Sequence, residues 1–345
     1  MSEQALPLIG ISVGDPGGIG PEITAKALAM PELYEICRPL AIAETELMKN
    51  AADFSGLSHQ VHLVDDLGGG RYDGKHLNVY DLKNLEGRTI VLRKVSAANG
   101  RASYEFVIKV IELAMAGTID ATVTGPINKE AIAAAGIKHA GHTEIFGAAT
   151  EAKHYAMMLT HENFRVIHVT THVSLRKACD LIKKDRVYSV IRLADITLKE
   201  MGIGSPRIGV CGLNPHAGEN GLFGREEIDE IEPAVRQGRE EGMKVEGPVP
   251  GDTIFSKMAG GQYDIVVVMY HDQGHIPTKL KGFQYDEKTG TFGSISGVNI
   301  TAGLPIIRVS VDHGTAFDIA GKGIANPDSM IEAIETAALL AGNRS

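Results

Sequence analysis

Short apolar runs alternate along the chain with stretches that have the periodicity of helices. The runs end in Gly, Pro or His, which is typical of buried parallel strands in an α/β fold. An Ala-rich helix is predicted to follow the first strand, and Ser103 to cap a later helix that Gly117 ends. The clearest predicted strands cover residues 6–13, 119–124, 164–170, 207–212 and 263–270.

Three of these runs are followed within a few residues by a histidine, namely His172, His216 and His271. Ligands of open parallel sheets bind beyond the carboxyl ends of the strands, so these histidines are expected to converge on one crevice. Three imidazoles suit a catalytic divalent metal, and Glu219 and Asp272 stand close enough in sequence to orient two of the rings. The alternative for each histidine alone is a hydrogen-bonded loop residue.

Two glycine-rich segments are candidate binding loops. Residues 14–22 connect a strand to a helix, where backbone N–H groups can approach an anion or cofactor, although a tight packing turn is the alternative. Neither the Walker pattern nor the usual dinucleotide order of glycines is present. Residues 312–327 are too polar for a core element, and Lys279, Asn299 and Arg308 before them are donors suited to a small anion.

Composition narrows the classes of protein. A length of 345 residues predicts two domains or one large α/β domain, and 34 basic against 43 acidic residues argue against a nucleic-acid partner. Three cysteines without a C-x-x-C pair argue against a disulfide framework and favour a cytoplasmic location. Neither a leader pattern nor an apolar run of about 18 residues occurs, so no membrane contact is expected.

Eight motifs then occur in order along nearly the whole chain. They are GDPGGIGPE at 14–22, VTGPINK at 123–129, GHTE at 141–144, TH at 171–172, NPHAGE at 214–219, YHDQG at 270–274, VNIT at 298–301 and DHGTA at 312–316. Together they resemble the PdxA family, whose members are 4-hydroxythreonine-4-phosphate dehydrogenase and paralogues that act on 4-phospho-D-threonate or 4-phospho-D-erythronate. The segment 314–327 also resembles the adenosine-binding loop of isocitrate and isopropylmalate dehydrogenases.

The resemblance implies a two-domain α/β/α fold of the isocitrate and isopropylmalate dehydrogenase type, with the active site in the interdomain cleft. Domain one would comprise residues 1–128 and 305–345 with the NAD-binding loop. Domain two would comprise residues 129–304 and carry the metal ligands and the contact of a homodimer with shared active sites.

The resemblance also assigns residues by position. The metal ligands would be His172, His216 and His271, drawn from both subunits and holding one Zn, Mg, Mn or Co ion per site. Lys279 and Asp272 are the catalytic candidates; Lys279 is the nearest candidate base on sequence grounds, with phosphate binding as the alternative. Substrate would be bound by His142, Thr143, Lys279, Asn299 and Arg308. NAD would be bound by Gly14, Asp15, His313, Gly314, Thr315 and Asn326.

The implied activity is NAD- and metal-dependent oxidation of the C3 hydroxyl of a four-carbon 4-phospho acid, followed by decarboxylation. The biosynthetic members read Leu-Pro after HDQG, whereas this chain reads His275-Ile276-Pro277. Its segment 283–297, predicted to be a surface excursion or a hairpin, is also longer. These departures favour 4-phospho-D-threonate or D-erythronate as the substrate, with dihydroxyacetone phosphate and CO2 as products.

Three alternatives stay open. The first is 4-hydroxythreonine-4-phosphate dehydrogenase of pyridoxal phosphate biosynthesis, which differs from the preferred activity by an amine at substrate C2. The second is a zinc hydrolase, for which three histidines and an activated water suffice. The third is a non-enzymatic protein that binds small anions.

Overall fold

The computed structural model describes residues 5–85, 87, 89–139, 141–286, 291–295 and 297–344. Its strands are β1 (Leu8–Ser12), β2 (Arg38–Ala43), β3 (Gln60–Leu63), β4 (His76–Asp81), β5 (Ala121–Thr124), β6 (Ala156–His161), β7 (Phe164–His168), β8 (Arg207–Cys211), β9 (Lys244–Val249), β10 (Ile265–Val268), β11 (Phe283–Asp286), β12 (Thr291–Ile295), β13 (Val298–Ala302) and β14 (Arg308–Val311).

Its α-helices are α1 (Gly20–Leu28), α2 (Thr45–Phe54), α3 (Ala97–Met115), α4 (Lys129–Ala134), α5 (His142–Ala149), α6 (Leu175–Leu181), α7 (Lys184–Glu200), α8 (Glu232–Glu240), α9 (Gly251–Ala259), α10 (His271–Gly282) and α11 (Asp328–Arg344). The described part of the chain contains no helix that is both long enough and apolar enough to span a membrane.

One compact unit comprises Met1–Lys153 and Leu304–Ser345. Its six strands pair in the order β3-β4-β2-β1-β5-β14, and every pair is parallel. All residues of β1, β5 and β14 are buried. This burial explains their nearly continuous apolar runs, because central strands of a parallel sheet are covered on both faces.

The second compact unit comprises His154–Gly303. Its strands pair in the order β13-β6-β7-β10-β8-β9, in which the first two pairs are antiparallel and the other three are parallel. A core cluster joins apolar side chains of β7 and β10, including Phe164, Val166 and Val268, to Ile254 and Met258 of α9. The α/β class predicted from the sequence is confirmed.

The five predicted strands are confirmed with shorter bounds, but the predicted helix start at Ser103 is wrong. Helix α3 begins at Ala97, and its N-terminal flanking residue is Ser96, seven residues before Ser103. Ser103 lies inside the helix, where its buried Oγ donates a hydrogen bond to the carbonyl oxygen of Gly100 at 3.0 Å. Gly117 follows the end of α3 with a φ of +67°, so its predicted role is confirmed.

The predicted hairpin at 283–297 is also confirmed. Strands β11 and β12 pair antiparallel, with Phe283 opposite Ile295 and Asp286 opposite Thr291. Residues 287–290 and 296 of this segment lie outside the described residues.

Residues 129–153 pack with the first unit rather than with His154–Gly303. A close approach of α3 to α4 accounts for this, since a Cβ atom built on Gly100 would lie 2.0 Å from the carbonyl oxygen of Ala131. The assignment of residues 1–128 with 305–345 and of residues 129–304 to two domains stays a prediction.

Candidate functional site

The three histidines predicted as metal ligands follow neighbouring parallel strands of the second unit. Strand β10 lies between β7 and β8, so the carboxyl ends of all three strands lie at the same edge. His172 follows β7, His216 follows β8 and His271 is the first residue of α10 after β10. The topology therefore provides the common edge that the sequence predicted.

His172 and His271 lie side by side at this edge. Their ring centroids are 5.7 Å apart, and both line a cavity of about 360 Å³ together with Tyr270 and Asp272. Nδ1 of His271 lies 2.7 Å from Oδ1 of Asp272. Because a carboxylate only accepts, Nδ1 carries the proton and Nε2 keeps a lone pair that can bind a metal.

His216 lines a second cavity, of about 590 Å³, which shares Tyr270 and Asp272 with the first and also includes Asp252 and Gln273. Its ring is oriented in the same way, with Nδ1 3.3 Å from Oε2 of Glu219. Within the described residues, no three His, Cys, Asp or Glu side chains are close enough to hold a metal ion. One chain thus brings two of the three predicted ligands into ring contact, and His216 lines the adjoining cavity.

Two further histidines support the ring of His271, namely His168 and His275, of which only His275 stood out in the sequence, as a departure from the biosynthetic pattern. The ring of His275 stacks on that of His271 with centroids 3.7 Å apart and planes 8° from parallel. Nδ1 of His275 lies 3.1 Å from Nε2 of His168, and Nδ1 of His168 lies 3.0 Å from the carbonyl oxygen of Met157. His168 was hidden inside a predicted strand, where nothing distinguished it from a core residue.

Burial keeps both of these supporting rings neutral. It lowers the pKa of His168 to about 3 and that of His275 to about 4, and neighbouring histidines lower both pKa values further. The position of His168 also explains why residue 274 is glycine, since a Cβ atom there would lie 2.8 Å from Nε2 of His168.

Polar side chains line a small cavity at the carboxyl ends of β5 and β14 in the first unit. A cavity of about 130 Å³ is lined there by Thr124, Lys129, His142 and His313, among others. Arg308 is 3 % exposed, its Nη2 donates to Oγ1 of Thr124 at 3.0 Å, and burial lowers its pKa to about 9. A buried guanidinium of this kind suits a phosphate or carboxylate.

His142 begins α5 and lines the same cavity. Burial holds its pKa well below the usual range, and the charges of Arg308 and Lys129 lower it further. In the described part of the chain its Nε2 atom is buried without a hydrogen-bond partner. A neutral imidazole with an unsatisfied nitrogen is prepared to bind a polar group of a ligand.

The other predicted substrate residues lie on regular elements. Thr143 follows His142 in α5, Lys279 lies on α10 two helical turns after His271, and Asn299 lies on β13. The Oδ1 atom of Asn299 is buried without a hydrogen-bond partner among the described residues. His142, Thr143 and Arg308 thus belong to the first unit, whereas Lys279 and Asn299 belong to the second. Their roles stay predictions.

Packing explains the glycine at the start of the 14–22 loop. Gly14 has a φ of +83°, and a Cβ atom there would lie 2.3 Å from the carbonyl oxygen of Pro126. Asp15 is fully buried and its Oδ1 accepts a hydrogen bond from the Gly17 amide at 2.8 Å. Burial raises the pKa of Asp15 to about 6. The cofactor roles of Gly14 and Asp15 stay predictions.

The segment 312–327 is irregular, as predicted for a binding loop, and joins β14 to α11. His313 lines the cavity of the first unit, Gly314 is exposed, and the Thr315 carbonyl accepts a hydrogen bond from the Ile19 amide at 3.0 Å. Oδ1 of Asn326 accepts the Asp328 amide at 2.7 Å at the start of α11. These residues stay candidates for binding the cofactor.

Helix α1 holds the end of this loop through two charged side chains that the sequence analysis did not select. Nζ of Lys26 donates to the carbonyl oxygens of Gly323 at 3.0 Å and Ala325 at 2.7 Å. The buried Glu22 accepts the Ala325 amide at 2.8 Å and pairs with Lys26 at 3.1 Å. The loop is therefore fixed to α1 at this end.

An α/β fold with histidines in cavities at the carboxyl ends of parallel strands is typical of enzymes that act on small polar molecules. The model of the family described as "Pyridoxal phosphate biosynthetic protein PdxA" matches residues 35–337. The chain belongs to the PdxA family, as its motifs predicted. It is an oxidoreductase, a dehydrogenase that acts on a CH–OH group.

Relatives in two organisms carry the name "Putative D-threonate 4-phosphate dehydrogenase". The protein of Oceanobacillus iheyensis is 47% identical over 343 residues, covering 97% of this chain and 98% of its own. That of Symbiobacterium thermophilum is 46% identical over 332 residues, covering 96% of each. A crystal structure of a 4-hydroxythreonine-4-phosphate dehydrogenase from Burkholderia phymatum is 43% identical, with a TM-score of 0.83 over 98% of this chain and 99% of that one.

Proposed function

We propose that this protein oxidises the C3 hydroxyl of 4-phospho-D-threonate, or of its erythronate epimer, with NAD as the hydride acceptor and a divalent metal in the site. The product would be a ketone β to the C1 carboxylate. Loss of CO2 from that acid leaves a three-carbon ketone with a hydroxyl and a phosphate, which is dihydroxyacetone phosphate.

The observation that carries the proposal is the pair His172 and His271 at one strand edge, with Asp272 2.7 Å from the His271 ring. An imidazole whose Nδ1 is held by a carboxylate presents its Nε2 to Zn, Mn or Co, and Mg is the further candidate. A bound divalent ion supplies a lower pKa for an alcohol and polarisation of a carbonyl. Asp272 acts in this proposal by orienting His271.

We further propose that His216 of one subunit completes the ligand set of a partner subunit in a homodimer. The support is geometric: His216 is oriented by Glu219 as a ligand would be, yet within the described residues one chain does not assemble three ligands. Shared sites of this kind follow from a two-fold interface, at which the same surface of each subunit contacts the other.

Arg308 and His142 are proposed to hold an anionic group of the substrate. The buried guanidinium of Arg308 supplies charge and the neutral His142 supplies a further polar contact. Thr143 and Asn299 would add neutral hydrogen bonds to the same substrate. Lys279 is proposed as the base that takes the proton of the C3 hydroxyl, because it lies on the helix that begins with His271.

NAD is proposed to bind along 312–327, with Gly14 and Asp15 contributing from the first loop. Hydride acceptance is the chemistry that NAD supplies. His313, Gly314, Thr315 and Asn326 are the proposed contacts, and the bonds of Lys26 and Glu22 to Gly323 and Ala325 preorganise the loop. A cytoplasmic location accords with this cofactor and with the three unpaired cysteines.

The second candidate function is oxidation of 4-phosphohydroxythreonine, which has an amine at C2. The name of the Burkholderia phymatum structure favours it. The name of the two relatives favours the hydroxy acid, as does His275 where the biosynthetic pattern has leucine. A mismatched polar group at C2 commonly costs about 1–3 kcal/mol, or roughly 5- to 150-fold in kcat/KM.

The deciding experiment measures NADH formation with each of the three phospho acids, with the metal present and after chelation. A dihydroxyacetone phosphate reductase coupled to the reaction detects the decarboxylated product directly. We expect the two hydroxy acids to give the higher kcat/KM. An equal or higher value for the amino acid would overturn the substrate assignment, and turnover that survives complete chelation would overturn the metal.

A further inference from the structure

The segment that carries His216 has an unusual backbone. Residues 216 to 220 all have positive φ, with values of 52° at His216, 54° at Ala217, 78° at Gly218, 44° at Glu219 and 56° at Asn220. The left-handed conformation costs an L residue roughly 1–2 kcal/mol, and only Gly and, to a lesser extent, Asn adopt it readily. A run of five such residues therefore requires a strong anchor in its surroundings.

Glu227 provides that anchor from the opposite side of the turn. The amides of Leu213 and Asn214 both donate to its Oε1 at 2.7 Å, and Nδ2 of Asn214 donates to its Oε2 at 2.9 Å. These donors occupy the two residues that lead from β8 into the turn. The carboxylate thus fixes the direction in which the chain enters residues 215–221.

The middle of the turn closes over the same carboxylate. A Cβ atom on Gly218 would lie 2.6 Å from Oε2 of Glu227, and one on Gly212 would lie 3.3 Å from Oε1. Only glycine leaves room for the buried carboxylate at residue 218. One side chain therefore contacts both the entry and the centre of the turn.

The chemistry of Glu227 differs from that of a surface carboxylate. It is 3 % exposed, and its partners in the described part of the chain are neutral N–H groups rather than a cation. A buried carboxylate is costly unless its oxygens accept several hydrogen bonds. It also begins a π-helical turn, Glu227–Ile231, a distortion that often accompanies functional sites.

We infer that Glu227 is a positioning residue for His216: it holds the left-handed turn so that the His216 ring is presented in one orientation. The inference rests on the proposed function in that His216 is a metal ligand there. Nothing in the sequence motif 214–219 indicates the role, because Glu227 lies eight residues beyond it.

The test compares Glu227→Gln with Asp229→Asn in the full-length protein. Glutamine can still accept hydrogen bonds from the two amides but places an NH2 group against Nδ2 of Asn214. Asp229 is exposed and pairs with Arg225 in an i, i+4 contact. The first readout, taken without metal, combines two measurements: the hydrogen-exchange rates of peptides that cover residues 207–222, and the NMR signal of the His216 ring. The second is the affinity for Zn²⁺ and Co²⁺, and the third is the melting temperature.

We expect Glu227→Gln to speed exchange at Leu213 and Asn214, to broaden or shift the His216 signal, and to weaken metal binding by about 10- to 100-fold. Asp229→Asn should leave all three unchanged. A lower melting temperature with an unchanged His216 signal would show a folding role alone and overturn the inference. Wild-type exchange at unprotected rates at Leu213 and Asn214 would overturn it even if the variant fails to fold.

The two claims fail separately. If the wild type binds no divalent metal, the proposed function is wrong, but the metal-free exchange and NMR data still decide whether Glu227 positions the ring. If metal binds and Glu227→Gln leaves its affinity and the His216 signal at wild-type values, the inference is wrong and the proposed function stands.

Discussion

The rings of His271 and His275 stack with centroids 3.7 Å apart, while Nδ1 of His275 lies 3.1 Å from both Nε2 of His168 and the carbonyl oxygen of His271. A carbonyl and the Nε2 lone pair of His168 both face this nitrogen, so it carries the proton. His275 thereby joins the ring of a proposed metal ligand to the buried interior of the second unit.

His275→Leu is expected to lower both stability and turnover. The substitution leaves Nε2 of His168 buried without a donor, which costs about 1–3 kcal/mol, and removes the ring against which His271 packs. Thermal unfolding and kcat/KM measure the two effects. Leu280→Ile is the control, since Leu280 lies on the same helix and is 81% exposed. Equal behaviour of the two variants would contradict the role of His275.

His216→Ala is expected to leave the protein folded and to abolish turnover. The side chain is exposed, so its loss creates no cavity, whereas loss of a metal ligand removes more than the 10- to 100-fold typical of an outer-shell residue. Metal content by mass spectrometry and kcat/KM provide the readouts. The exposed His154, changed to alanine, is the control. Near-normal rates for His216→Ala would remove this residue from the metal site.

Mixed dimers test the shared site. Alanine variants of His172, His216 and His271 are combined in pairs and allowed to exchange subunits. If two ligands come from one chain and the third from its partner, two of the three mixtures regain about a quarter of wild-type activity, because half of the dimers are mixed and each has one intact site. The mixture that regains no activity identifies the two ligands that come from the same chain. If subunit exchange is verified and none of the three mixtures regains activity, the shared site is contradicted.

Arg308→Lys is expected to raise KM for the phospho acid by about 10- to 100-fold with little change in KM for NAD. Lysine keeps the charge but not the planar fork that binds an oxyanion at two points, and the bond to Thr124 Oγ1 is lost as well. Steady-state kinetics with each substrate varied in turn provide the measurement. Arg101→Lys is the control at an exposed arginine. Equal changes in both KM values would indicate general distortion.

Asp15 predicts a pH dependence of stability. Its pKa is about 6 when folded against 3.8 for the free side chain, so the folded state binds more protons than the unfolded state between these values. The free energy of unfolding therefore falls as pH rises from about 4 to about 6, by up to roughly 3 kcal/mol from this group. Asp15→Asn should remove that slope, whereas Asp53→Asn at an exposed position should not. The measurement is denaturant unfolding at several pH values. If the free energy of unfolding of Asp15→Asn still falls between about pH 4 and pH 6 as in the wild type, Asp15 is not the source of the slope.

The sequence by itself determined the α/β class, the central strands and the positions of the histidines that follow them. Buried parallel strands require apolar runs and their exits require turn-forming residues, so both leave a local pattern at the right spacing. The motifs determined the family for the same reason, since each is a short segment with its own chemistry. Ser103 was misplaced because a helix start depends on the tertiary contacts of the preceding turn as well as on one polar residue.

Only the tertiary structure decided which side chains support the predicted ones. Glu227, His168 and Lys26 lie in unremarkable local sequence, and their partners are 13, 107 and 299 residues away along the chain. The structure also places His216 in a second cavity, which shares Tyr270 and Asp272 with the cavity of His172 and His271. Hydrogen bonds between distant segments depend on how strands and helices pack, and no local pattern records that packing.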